Sequence, residues 1–165
     1  MAMTDPLTSA FNRRYLMRHL KREIKRSKRC GGDVSVLLLD IDHFKRINDA
    51  HGHDAGDAVL KMLTTQIGAC LRRDTDWCAR LGGEEFVVVL EGTNLAAARV
   101  CAEKLKTTVA NSSTRCIMIF LTSFYSGLAT LLQTGLTERP EEREMPNPLK
   151  LPSGRPMRGA AQASA

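Results

Sequence analysis

The chain has no apolar run near the ~20 residues needed to cross a bilayer, and its start, Met-Ala-Met-Thr-Asp-Pro, lacks the apolar centre of a secretory signal. A cytoplasmic location without membrane insertion is therefore expected, with first residues that look like a domain cut from a longer protein. Paired cysteines are missing as well. Cys30, Cys70, Cys78, Cys101 and Cys116 are odd in number, scattered, and contain no Cys-x-x-Cys pair, which argues against a disulfide frame or a zinc site. They read as reduced, mostly buried thiols. There is no internal repeat. What remains is a chain of 165 residues, 43% of them hydrophobic, long enough for one domain with its own core.

A formal charge of +6 invites a nucleic-acid partner, but the cations are concentrated between Arg13 and Arg29. Leu16, Leu20 and Ile24 recur there at helical spacing, which puts the basic residues on the opposite face of an amphipathic helix. No aromatic stacking pattern accompanies that helix, so a solvated face is the expectation and nucleic acid is not a predicted partner.

Beyond the basic helix, Cys30-Gly31-Gly32-Asp33 breaks the pattern, and Val34 to Ile41 reads as a buried strand ending on a carboxylate, Asp40. A short helix through Phe44–Asp49 follows, then a polar loop over His51–Asp57. Val59, Leu60, Leu63, Ile67 and Leu71 mark the buried face of the next helix; Ala98, Cys101, Ala102, Leu105 and Val109 mark that of another. Ile117–Leu121 reads as a further strand. Helix, strand, helix, helix, hairpin, helix, strand is the order of an α+β domain with helices on a mainly antiparallel sheet. From about Gln133 the prolines, Glu141-Glu142 and small residues of the end do not read as packed core, so the domain is placed at 1–132 and an irregular tail at 133–165.

The hairpin carries the chemistry. Gly82-Gly83-Glu84-Glu85-Phe86 lies between apolar runs and reads as a turn in which two glycines allow positive φ or close approach to a ligand. Adjacent carboxylates are what Mg²⁺ needs to meet a nucleoside triphosphate, although an ordinary Gly-Gly turn with solvated acids has the same composition.

Several separated stretches together resemble the GGDEF family: Asp5-Pro6-Leu7-Thr8, Phe11-Asn12-Arg13-Arg14, Leu39-Asp40-Ile41-Asp42-His43-Phe44-Lys45, Asn48-Asp49, Gly52-His53-Asp54-Ala55-Gly56-Asp57 and Arg80-Leu81-Gly82-Gly83-Glu84-Glu85-Phe86. The resemblance covers roughly the first two thirds of the chain. It implies a palm fold related to nucleotidyl cyclases, ferredoxin-like in outline, and a bacterial signalling enzyme, a diguanylate cyclase that condenses two GTP molecules into cyclic di-GMP.

By that resemblance Asp40 and Glu84 are the catalytic carboxylates and, with the Ile41 carbonyl, the ligands of Mg²⁺, with Mn²⁺ as a substitute; Glu84 or a metal-bound water would assist deprotonation. Each step is an in-line phosphoryl transfer, for which a metal lowers the pKa of the attacking 3′-hydroxyl and absorbs charge on pyrophosphate. Gly82 and Gly83 would let backbone amides reach the phosphates, and Lys45 would add a cation. Asn48 and Asp57 resemble the guanine readers: a carboxylate accepts from N1–H and N2–H₂, and an amide addresses O6 or N3. Both residues also suit helix capping, Asp57 as the N-cap of the next helix. Phe44, beside them, counts with the substrate pocket or with the core. His43 and His53 read as structural, and Asp42 as a hydrogen-bonding neighbour of the ligands.

Arg73-Asp74-Thr75-Asp76 has the Arg-x-x-Asp form at the offset where the family carries an inhibitory product site, so Arg73 and Asp76 are candidates for cyclic di-GMP, with Arg72 as a helper; a surface salt bridge is the other reading. The last third departs from the family. Ser126-Gly127-Leu128-Ala129 resembles its next strand with altered spacing, and Lys150 with Gly154-Arg155 only faintly matches its final cations, with no amphipathic helix between. A reading-frame change would produce this. The missing helix should bare part of one sheet face, lowering stability or favouring self-association. The resemblance implies a homodimer in which each copy presents one GTP; the alternative is an impaired domain that acts as a cyclic di-GMP receptor.

Overall fold

Val34–Ile41 is apolar at almost every position because it becomes the strand between two neighbours, with helices on both faces. In the computed structural model, which describes residues 2–110, 117–125 and 128–134, it is β2 of a chain ordered β1 (Phe11–Asn12), α1 (Arg13–Cys30), β2 (Val34–Ile41), α2 (Phe44–His51), α3 (His53–Cys70), β3 (Asp76–Gly82), β4 (Glu85–Glu91), α4 (Leu95–Ala110), β5 (Ile117–Tyr125) and β6 (Leu128–Thr134). The sheet order is β1-β3-β4-β2-β5-β6, antiparallel except for the short parallel pair β1–β3. This is the expected α+β architecture with two strands added. β1 is only two residues long, too short to show a period, and β6 pairs with β5 from Tyr125↔Leu128 to Ile119↔Thr134. Gln133 and Thr134 thus close a strand; Cys116, Ser126, Gly127, Lys150, Gly154, Arg155 and the tail from 135 onward lie outside the described residues.

Alternation along β2 and β4 sorts the core into two faces. Leu37, Leu39, Ile41, Phe86, Val88 and Leu90 pack against the stripes predicted for α3 and α4, Val59-Leu60-Leu63-Ile67 and Ala98-Ala102-Leu105-Val109. Cys101 and Leu71, expected in those stripes, are only partly buried at their margins. The opposite face holds Val87, Val89, Ala79 and Val34 under Leu16 of α1. Here α1 alone is the described cover, and Val36 and Leu38 of β2 are half-buried.

Local chemistry explains the helix limits. The Asn12 side chain accepts the Tyr15 N–H at 3.0 Å and caps α1, while Gly31 at φ 72° ends it by donating to the Ser27 carbonyl. Contrary to the expectation of no aromatic stacking along this helix, Phe11 of β1 and Tyr15 and His19 of α1 stack at 3.8 and 3.9 Å, and Trp77 of β3 meets the first two rings edge-on. Tyr15 and His19, four residues apart, share one face of α1, and the distant Trp77 packs against Phe11 and Tyr15. The thiols are less uniform than expected. Cys30 is exposed and Cys70, Cys78 and Cys101 are partly buried, with burial pushing the Cys78 thiol up to about 12. Among the described residues no helix is long and apolar enough to cross a membrane.

Candidate functional site

Pairing of β2 with β4 ends at Leu39↔Phe86, so Asp40, still paired with Met118 of β5, has lost its β4 neighbour beside the point where Glu85 enters that strand. The hairpin closes with Gly82 opposite Glu85, leaving Gly83 and Glu84 as the two turn residues. The turn is tighter than the pentapeptide read from sequence, since Glu85 and Phe86 already belong to β4. Gly82 and Gly83 have φ of 147° and 54°, and a Cβ on either would meet nothing within 4 Å. These glycines serve backbone conformation and outside access; no packed neighbour demands them.

Asp40 is partly buried, and its carboxyl is held above the usual carboxylate range, first by desolvation and then by the charges of Glu84, Glu85 and Asp42. The structure therefore places Glu84 near enough for its charge to act on Asp40. It adds Glu85, whose role the sequence left open. Such a gathering of acids wants a cation. Among the described residues no three His, Cys, Asp or Glu side chains are placed to hold a metal alone, so an ion would take Asp40 and Glu84 and draw further oxygens from the Ile41 carbonyl, water and phosphate. That partial, all-oxygen set fits Mg²⁺. Next to it, His43 adopts φ 57° at the start of α2 and its Nε2 lies 3.5 Å from Asp42 Oδ1. Lys45 stands exposed in the first turn of α2.

α2 and α3 meet almost without a loop. The stretch His51–Asp57 was expected to be irregular, but His51 ends α2, His53 starts α3 and only Gly52 lies between, at φ 84°, donating to the Asn48 carbonyl at 2.8 Å. Asp57 consequently lies in the second turn of α3 and caps nothing; the cap position belongs to Gly52. One glycine with positive φ replaced the loop, because it reverses the chain in a single residue.

Gly56 was missed as a site residue. It is buried, and a Cβ there would overlap Asn48 Oδ1 and lie 3.1 Å from Phe44 Cζ. The absent side chain is what lets Asn48 lie against α3 at Gly56, one residue before Asp57 in sequence, with the buried Phe44 ring close by. Phe44 thus belongs to the core, and its ring also comes up to Gly56. Gly56→Ala is expected to weaken binding of a non-hydrolysable GTP analogue about tenfold, by displacing Asn48, with a smaller loss of thermal stability. Calorimetric titration with the analogue, beside a melting curve, separates the two effects.

A second network fixes the turn. Arg80 donates from Nε and Nη2 to the Gly83 carbonyl at 3.0 and 2.7 Å, and from Nη1 to Asp5 Oδ1 at 3.1 Å. Asp5 also accepts the Thr8 N–H at 2.9 Å and the Thr8 hydroxyl at 2.7 Å. Burial alone would raise the Asp5 carboxyl, but Thr8 and Arg80 outweigh it and hold the group below the usual carboxylate range. The N-terminal turn is in this way wired to the hairpin tip.

At the other end of β3 the ion pair is not the expected one. Arg72, not Arg73, forks onto Asp76, with Nε to Oδ2 at 2.9 Å and Nη2 to Oδ1 at 2.7 Å. The helper of the sequence reading holds the aspartate, while Arg73 is exposed and makes no hydrogen bond or ion pair among the described residues.

Comparison with known proteins gives one consistent result. The family model described as "Diguanylate cyclase, GGDEF domain" matches residues 2–133. The diguanylate cyclase DgcP of Pseudomonas aeruginosa is 50% identical over 109 residues, 66% of this chain and 16% of that protein. The response regulator PleD of Caulobacter vibrioides is 45% identical over 112 residues, 68% of this chain and 24% of its own length. The chain therefore spans about a quarter or less of these two relatives. Among solved structures, diguanylate cyclase SiaD of Pseudomonas aeruginosa, crystallised with its activator SiaC, superposes with a TM-score of 0.71 at 35% identity, covering 77% of this chain and 52% of that one. The GGDEF domain of DgcB from Caulobacter crescentus, in complex with c-di-GMP, superposes with a TM-score of 0.69 at 27% identity, over 78% and 81% of the two chains.

Proposed function

The chain belongs to the GGDEF domain family, and on that premise we propose that it is a diguanylate cyclase, joining two GTP molecules into cyclic di-GMP with release of two pyrophosphates. The observation that carries this reading is the convergence of Asp40 and Glu84 beside an open glycine turn, with Asp40 held up by neighbouring negative charge. Like charges gathered at a strand end, where folding alone gains nothing from them, are the mark of a site built for a cation and a substrate.

Asp40, Glu84 and the Ile41 carbonyl would hold Mg²⁺, or Mn²⁺ in its place, and the ion would supply Lewis acidity toward the attacking hydroxyl and charge neutralisation for the leaving group. Asn48 and Asp57 would read the guanine edge, which adenine cannot match. The amides of the Gly82-Gly83 turn and Lys45 would hold the triphosphate, while Glu84 receives the 3′-hydroxyl proton. Each 3′-oxygen forms a bond to the α-phosphorus of the other GTP as the bond to pyrophosphate breaks. Because one domain presents one GTP, two copies must face each other in antiparallel fashion, and linkage that raises their effective concentration would set the basal rate.

Arg73 and Asp76 would form the inhibitory product site. A second reading, a cyclic di-GMP receptor without turnover, is favoured by the sequence after Ile117, which lacks the family's final helix pattern. Incubation with GTP and Mg²⁺, following pyrophosphate and cyclic dinucleotide while product binding is measured in parallel, decides between them. Product formation supports the cyclase. Product binding abolished by Arg73→Ala, with no turnover in the parent, would overturn it in favour of the receptor.

A further inference from the structure

We infer that Arg72 is a built-in competitor for the guanine edge at Asp76, so that this residue sets how tightly the Arg73/Asp76 site takes cyclic di-GMP; the inference rests on the inhibitory-site reading above. The Asp76 side chain is only 4% exposed, against 57% for Arg72. Both of its oxygens are occupied. Oδ2 accepts the Arg72 backbone N–H at 3.0 Å and Nε at 2.9 Å, and Oδ1 accepts Nη2 at 2.7 Å and the Thr75 hydroxyl at 3.3 Å.

The chemistry of the occupant is the telling point. Nε–H and Nη2–H are two nearly parallel donors on a planar CN₃ unit, and guanine presents the same arrangement along one edge, with N1–H in the ring and N2–H on the exocyclic amino group. The fork takes two of the carboxylate's four in-plane lone-pair sites and the Arg72 N–H and Thr75 hydroxyl take the others, so none is left for the base while the fork is in place. Among the described residues Arg73 has no hydrogen-bond or ion-pair partner while Asp76 is taken.

Arg72 is also anchored from behind. Nη2 donates to the Glu91 carbonyl and to the Thr93 hydroxyl, each at 2.7 Å, which ties the fork to the corner between β4 and α4. Cavities of about 330 and 230 Å³ lie on the two sides of the pair, the first lined by Leu90, Asn94 and Val100 and the second by Phe11, Thr64 and Trp77. There is room for a ligand to arrive and for the half-exposed Arg72 to swing outward. Binding would exchange one guanidinium-type donor for another, so the apparent affinity is lowered by the fraction of molecules in which Asp76 is occupied.

The test is cyclic di-GMP binding by calorimetry to the full chain and to R72Q, R72K and R73A, with a thermal midpoint for each. Both Arg72 variants are expected to bind about tenfold more tightly than the parent, since glutamine and lysine cannot reproduce the planar fork. Tightening in R72K as well as R72Q identifies the fork, and not the charge, as the competitor. Unchanged or weaker binding in both folded variants, with R73A still abolishing binding in the parent, would overturn the competition and leave the site standing. If neither the parent nor R72Q binds the dinucleotide, the site reading fails and the inference fails with it.

Discussion

Asp40→Asn is expected to lower GTP turnover by about 10²–10³-fold while raising the thermal midpoint of the ligand-free protein by about 2–4 °C. The two effects have one cause. Desolvation and the charges of Glu84, Glu85 and Asp42 raise the Asp40 carboxyl above its ordinary value. A group raised on folding binds its proton more tightly in the folded chain than in the unfolded one. Its contribution to stability is therefore complete at acid pH and is lost as pH rises through the raised value. Near neutrality the charged cluster works against the fold, and asparagine removes that cost. The stability gain should fade below the ordinary carboxylate range, where parent and variant are both uncharged at this position. Melting curves across the acid-to-neutral range check the sign, and pyrophosphate release checks the loss of function. A variant less stable than the parent at neutral pH would contradict the electrostatic account of the site.

Arg80→Ala is expected to cost about 2 kcal/mol of stability and to lower kcat by tenfold or more with a smaller change in KM. The side chain is 14% exposed and its Asp5 partner 21%, so the pair is not a solvent-screened surface bridge. Removing it takes two charge-assisted hydrogen bonds from the Gly83 carbonyl and leaves Asp5 partly buried without its cation. The turn that carries Glu84 would lose its brace. Arg80→Lys should rescue little, because an ammonium cannot reach the Gly83 carbonyl and Asp5 in one planar geometry. Since the Asp5 carboxyl is depressed on folding, its contribution is present above the ordinary carboxylate value and is lost as pH falls through the depressed one. The parent should lose more stability on acidification than Arg80→Ala does. Urea titrations at neutral and acid pH measure that difference.

What the sequence made legible follows from the range of each signal. Periodicity and turn chemistry act over a few residues, so β2, α1, the buried stripes of α3 and α4, and the glycine hairpin could be read from composition and spacing. The joining of Asp40 with Glu84 needed the resemblance, because 44 residues separate them and only the register Leu39↔Phe86 makes them neighbours. Interactions that depend on tertiary approach were not legible. Asp5 and Arg80 lie in separate motifs, and no spacing rule connects them. Gly56 reads as one more loop glycine until α2 folds Asn48 onto it. Arg72 and Arg73 are adjacent and identical in type, and the chain's path from α3 into β3 decides which of them meets Asp76. Local pattern also erred at His51–Asp57, where glycine and polar residues suggest a loop yet one residue suffices to turn the chain.

The central claim, that Asp40 and Glu84 form one site for a divalent cation and a triphosphate, is tested most directly by Mn²⁺ binding followed by electron paramagnetic resonance with a non-hydrolysable GTP analogue. The measurement needs no turnover, so it reads the site whether or not two copies assemble. The parent should bind the ion in a manner that depends on the analogue, and Asp40→Asn and Glu84→Gln should each lose most of that binding while remaining folded. Equal Mn²⁺ binding in the parent and in both variants would contradict the account.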